Sequence, residues 1–280
     1  ISHFYMIKMR IVFILFSILC FSSTIAQEKY WVYLSDKDNV EFDPFSYFDQ
    51  KAIDRRVKLD LPLDAYTDRP LRIDYVKNIT SIADTVSGHS RWFNALACKL
   101  TAPQLEMVRN LPFVKNIEAM ESTPVISEFP TNDLHYGEED LLNGQISWMQ
   151  GNEFTKNEFT GKGIRICIID AGFPDVNSSE VFEHIRDSNR IIKTWDFKKN
   201  KPDVYKFNSH GSTVLSCIAG KLDDKPIGIA PDAEFLLART ERIMYEGEAE
   251  EEAWLMAVEW ADKNGADIIN SSLGYTAARH

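Results

Sequence analysis

Three hydrophobic rhythms follow one another along the 280 residues. The first is a block: "IVFILFSILCF" at 11–21 carries no charge, Lys8 and Arg10 precede it, and "SSTIAQ" follows. A basic start, a short apolar centre and Thr24 and Ala26 at the −3 and −1 positions of a cut before Gln27 predict a removable export signal over 1–26. The run is too short to span a bilayer. Bulky Leu19 ahead of Cys20 argues against lipid attachment there.

The second rhythm is mixed. "KYWVYLSD" (29–36) and "WFNALACKL" (92–100) read as strands, and "AIDRRVKL" (52–59) as a short helix. Thr101 can cap the helix "APQLEMVRNL", with Pro103 in its first turn, and "FVKNIEAM" (113–120) returns to strand. Strand, helix and strand in thirty residues make a compact βαβ-type unit. "ESTPVISEFPTNDLHYGEED" (121–140) is polar, holds two prolines, and predicts an exposed linker.

The third rhythm alternates strand and helix. "QISWMQGNEF" (145–154) reads as helix, and "GKGIRICIIDAG" (161–172) as a turn and a β-branched run interrupted only by Arg165. Such a run suits a strand buried on both faces of a parallel sheet. The segment 211–220 is apolar almost all round, predicting a helix buried within a domain. "GIAPDAEFLLART" (228–240) ends in a strand. "EAEEEAWLMAVEWADKNG" (248–265) predicts a long helix with Ala253, Ala257, Val258 and Ala261 on one face and Gly265 at its end, and "ADIINSSLG" (266–274) closes with another strand. The expected fold is α/β with a doubly wound, mainly parallel sheet over 126–280, preceded by a small α+β domain over 27–125. No internal repeat is present.

Composition narrows the functions. At 44% hydrophobic residues the chain can fill a core, and its formal net charge of −11 argues against a nucleic-acid partner. "KKNK" (198–201) reads as a solvated loop and "EAEEE" (248–252) as a solvated helix start. Beyond the signal, Cys98, Cys167 and Cys217 remain, permitting one disulfide at most. The apolar settings of Cys167 and Cys217 predict buried free thiols. There is no CxxC spacing and no metal-ligand cluster.

Two residues stand where chemistry is possible. Asp170 ends its strand, and in open parallel sheets ligands bind beyond the strands' carboxyl ends. His210 opens the helix of "NSHGSTVLSCIAG" (208–220); a carboxylate partner would fix its tautomer and leave a neutral ring able to act as a base. By spacing alone, each reads as readily as an ordinary turn or helix cap.

"IRICIIDAGFPDVN", "HGSTVLSCIAG", "GIAPDAEFLLART" and "GADIINSSLG", in that order and spacing, resemble the subtilisin-like serine protease family. The region before them resembles that family's propeptide. The resemblance implies that Asp170 and His210 are the acid and base of an Asp-His-Ser triad, and that Ser272, Leu273 and Gly274 lie beside an extended substrate. Ser271 and Ser272 are then structural or substrate-lining, not nucleophiles. Thr213 stands where many relatives have a second histidine, and Leu215 is larger than usual at its place.

The family's nucleophilic serine and oxyanion asparagine are not among these residues, so the 280-residue chain alone is expected to be inactive. The resemblance further implies a propeptide that aids folding, inhibits the enzyme, and is cut within 118–132. It requires no cofactor; members are often stabilised by calcium, for which no ligands are assigned. Expected partners are a peptide or protein substrate and the chain's own propeptide, with no nucleic acid and no transmembrane span. The export signal implies a secreted, cell-surface or periplasmic protein. A non-catalytic subtilase-like binding or regulatory protein is the competing reading. A nucleotide-binding protein is disfavoured because "TGKG" (160–163) precedes a strand instead of joining strand to helix.

Overall fold

The computed structural model describes residues 27–120, 144, 146–148, 150–223, 225–241 and 249–272. The N-terminal sheet contains β1 (Glu28–Leu34), β2 (Thr85–Ser90), β3 (Ala95–Leu100) and β4 (Val114–Ala119), in the order β2-β3-β1-β4. Both β3 and β4 run antiparallel to β1, so they are parallel to each other with β1 between them. The expected βαβ unit is therefore a split one. The three longest helices of this part are α1 (Gln50–Lys58), α2 (Ile73–Ile82) and α3 (Ala102–Arg109). Thr101 and Gln104 form a capping box at the start of α3, satisfying backbone donors that a helix start leaves open. Val32, Leu34, Leu96 and Leu100 pack with Ile79 of α2 and Val108 of α3 in one apolar cluster.

The second sheet contains β5 (Arg165–Asp170) and β6 (Ile191–Asp196). After a small hairpin of β7 (Lys221–Leu222) and β8 (Lys225–Pro226) come β9 (Glu234–Arg239) and β10 (Ile268–Ser271). The four long strands are parallel, in the order β10-β5-β9-β6. Every residue of β5 is buried, as its β-branched run requires. Leu215 and Ala219 of α4 (His210–Ala219) join Ile166, Ile168, Phe235 and Leu237 in one core. Ala257 and Ala261 of α5 (Ala249–Lys263) join Cys167, Ile169, Leu236 and Ala238 in another. Helices thus cover both faces, and the fold is doubly wound α/β.

Several local expectations need correction. Helix α4 buries Gly211, Leu215 and Ala219 but turns Thr213 and Cys217 to solvent. Cys217 is accordingly exposed, whereas Cys98 and Cys167 are buried, and all three are free thiols. Apolar composition concealed a one-sided helix. Near residue 150 a single helix is interrupted by Gln150, whose φ of +55° is left-handed, and a short helix restarts over Gly151–Lys156. The acidic start of α5 is not uniformly solvated, because Glu252 is buried against Lys29 of β1.

That burial reflects the seam between the two sheets, where α5 serves both. Glu259 accepts from Ser90 Oγ and from the backbone N–H groups of Arg91 and Trp92. Asp262 meets the guanidinium groups of Arg55, Arg56 and Arg91. The linker expected at 121–140 lies outside the described residues. Among those described, no helix is long and apolar enough to cross a membrane.

Candidate active site

Asp170 is the last residue of β5 and is fully buried at the carboxyl edge of the parallel sheet. Its Oδ1 accepts the backbone N–H of Ala171 at 2.7 Å. His210 is the first residue of α4, and its backbone N–H donates to Asn208 Oδ1 at 2.9 Å. The His210 Nδ1 lies 3.1 and 3.0 Å from the two Asp170 carboxylate oxygens. The His210 side chain is 32% exposed, against 0% for Asp170. Turning Nδ1 toward the carboxylate directs Nε2 to the opposite edge of the ring. A carboxylate that holds a neutral imidazole by Nδ1–H leaves Nε2 as a proton acceptor.

The glycine after His210 has a steric cause. A Cβ on Gly211 would run into the Gly172 carbonyl, the Phe173 ring and Asp170 Cβ. Only a bare backbone lets the helix approach the strand end closely enough for the two side chains to meet. Ser212 Oγ adds a hydrogen bond to the Pro174 carbonyl at 2.5 Å, fastening α4 to the loop that follows Asp170. Leu215 is fully buried behind this turn.

Ser271 pairs with Ile169 in register, so Ser272 stands next to Asp170 at the same sheet edge. Its N–H reaches the Ile169 carbonyl at 3.4 Å and its side chain is exposed. Ser271 Oγ accepts from Trp254 Nε1 at 2.9 Å, tying β10 to α5. Leu273 and Gly274 lie outside the described residues.

Sequence reasoning overlooked a second polar group at this edge. Arg239 ends β9, Asp196 ends β6, and both are buried, with Arg239 Nη1 3.0 Å from each carboxylate oxygen of Asp196. The available signal was a single charge terminating each of "EFLLAR" and "IIKTWD", because a charge at the end of an apolar strand needs a partner. Among the described residues no group of three or more His, Cys, Asp and Glu is arranged to hold a metal ion.

The profile of the peptidase S8 propeptide domain of Bacteroidota matches residues 29–133, and that of the subtilase family matches residues 161–279. A thermostable alkaline protease of Halalkalibacterium halodurans is 24% identical over 183 residues, covering 64% of this chain and 43% of its own. An alkaline protease of Alkalihalobacillus alcalophilus is 26% identical over 172 residues, covering 57% and 39% respectively. This chain therefore spans less than half the length of these curated relatives. Among solved structures, the epidermin leader peptide processing serine protease of Staphylococcus aureus superposes with a TM-score of 0.51 at 17% identity, over 88% of this chain and 49% of that one. With a propeptide profile and a protease profile of one peptidase family following each other along the sequence, and a matching α/β fold, the chain belongs to the subtilase family.

Proposed function

We propose that this chain is the N-terminal part of an exported serine endopeptidase precursor. In this reading 1–26 is the export signal, 27–125 a propeptide that assists folding and inhibits, and 126–280 the first part of the catalytic domain. The observation that carries it is the 3.0 Å approach of His210 Nδ1 to a fully buried Asp170 carboxylate at the edge of a parallel sheet.

The chemistry follows from that pair. His210 Nε2 takes the proton of a serine hydroxyl as the oxygen bonds to the scissile carbonyl carbon. The resulting imidazolium is stabilised by Asp170, and its proton passes to the leaving amine as the C–N bond breaks. Water, deprotonated by the same ring, then cleaves the acyl-enzyme ester. Ser272, Leu273 and Gly274 border the extended peptide, whose backbone adds to the sheet edge. The 280 residues contain no Gly-Thr-Ser motif of the kind that bears the family's nucleophile, and the chain alone turns over no peptide. The reaction needs no cofactor; any calcium would serve stability.

Expression of the complete gene tests the reading. The parent protein cleaves peptide substrates and releases its propeptide, and Asp170→Asn lowers turnover by about 10⁴-fold. Parent protein that is folded yet inert, with His210→Ala unchanged from it, would instead identify a non-catalytic binding or regulatory relative. Mature enzyme whose first residue lies well outside 118–132 would refute the assigned cleavage window.

A further inference from the structure

The buried Arg239 touches more than its salt-bridge partner. Its Nε donates to the Ala171 carbonyl at 3.0 Å, immediately after Asp170. Its guanidinium carbon lies 3.6 Å from the centroid of the Phe207 ring. Phe207 has a φ of +81°, a left-handed conformation that a bulky residue holds only when its surroundings impose it. It also forms an isolated bridge with Gly172, and the next residue, Asn208, accepts the N–H of His210. One guanidinium therefore reaches the turn behind the carboxylate and the loop that delivers the imidazole.

Asp196 completes the device. Besides both contacts to Arg239, its Oδ1 accepts the N–H groups of Lys198 and Lys199 at 2.9 and 3.0 Å. Lys199 Nζ lies 4.4 Å from the Phe207 ring centroid. Replacing a buried ion pair by apolar groups of similar size is often neutral for stability, so stability alone gives a weak account of this one. Its contacts converge on the two segments that must be held in register.

We propose that Arg239 is a positioning residue that aligns His210 with Asp170 by clamping the Ala171 carbonyl and the strained Phe207 together. The inference rests on the reading of Asp170 and His210 as a proton-handling pair. Asp196 holds the guanidinium in place, and Phe207 transmits its position to the helix start.

The test uses the ¹⁵N-labelled 280-residue chain. Long-range proton–nitrogen spectra report which ring nitrogen of His210 carries the proton, with signals assigned by their loss in His210→Gln. The parent shows the Nδ1–H tautomer. Arg239→Met lowers the share of that tautomer by about half, and Arg239→Lys restores most of it. Phe207→Leu shifts it in the same direction with the ion pair intact. Ile185→Val, a core change in a fully buried residue, leaves the ring at parental values. A folded Arg239→Met chain with parental ring signals, while Asp170→Asn alters them, overturns the role of Arg239 and leaves the pair intact. Ring signals unchanged in Asp170→Asn remove the pair itself. Should Arg239→Met fail to fold, Phe207→Leu decides, and parental signals there overturn the proposal.

Discussion

Lys29 and Glu252 are separated by 223 residues in sequence and meet as a buried ion pair between the N-terminal sheet and helix α5. Ser87 Oγ donates to the same carboxylate at 3.3 Å. Removing one member strands the other in a buried setting. Lys29→Met is expected to destabilise the chain by about 3–5 kcal/mol, whereas Lys29→Met combined with Glu252→Leu recovers most of the loss. Urea unfolding of the two single variants and the double variant measures the difference.

Acid should loosen the same seam through Asp262. Burial pushes this carboxyl up, but hydrogen bonds and charge from Arg56 and Arg91 outweigh burial and hold it below the ordinary value of 3.8. A depressed carboxylate contributes stability that is present above its unfolded value and disappears as pH falls through the lower folded one. The parent should therefore lose stability below about pH 4, and Asp262→Asn should begin less stable at pH 7 and show a flatter acid limb. Unfolding midpoints between pH 7 and pH 3 check both.

Lys37 predicts a dependence of the same sign in alkali. Its ammonium is enclosed and donates toward the carbonyls of Tyr66, Thr67, Arg69 and Arg91. Burial lowers its pKa from 10.5 to about 8. Between those values the unfolded chain binds the proton more fully, so the Lys37 contribution to stability rises with pH. Lys37→Met is expected to abolish that rise, so the difference in unfolding midpoint between parent and variant should change from pH 8 upward instead of staying constant.

Gly211→Ala probes the close approach at the site. The added methyl meets Gly172, Phe173 and Asp170, and displacing α4 is expected to cost about 1–3 kcal/mol. The His210 ring signals should leave their parental positions even where the helix content is unchanged. Circular dichroism with ring nitrogen spectra separates the two effects.

Three strands of the parallel sheet, β5, β9 and β10, were legible from their apolar runs, whereas β6, "IIKTWD", with Lys193 and Thr194 in its middle, was not. The run from Arg165 to Asp170 has nowhere to go but the middle of a covered sheet, and Ala253, Ala257 and Ala261 recur at helical spacing. Strand β2, "TVSGHS", was not legible. It is polar and contains a glycine, and it becomes a strand through antiparallel pairing with the neighbouring β3 and packing on α5, which is distant in sequence. The exposure of Cys217 and the burial of Glu252 escaped for a related reason. Each depends on which side of a helix another element covers, and local composition does not specify that.

The site divides in the same way. Asp170 and His210 were identified as a pair by resemblance to a family, since a 40-residue spacing does not by itself bring two side chains to 3.0 Å. Arg239, Asp196 and Phe207 come together only when β5, β6 and β9 are placed side by side. Their chemistry was visible one residue at a time, and their convergence was not.

Helix α5 presents alanines to one sheet and three anions, Glu252, Glu259 and Asp262, to the other. The two halves are consequently a matched couple and not interchangeable cassettes. A chimera carrying a relative's leader must import counter-charges at the positions of Lys29, Arg56 and Arg91, or it leaves uncompensated carboxylates wherever the graft excludes water.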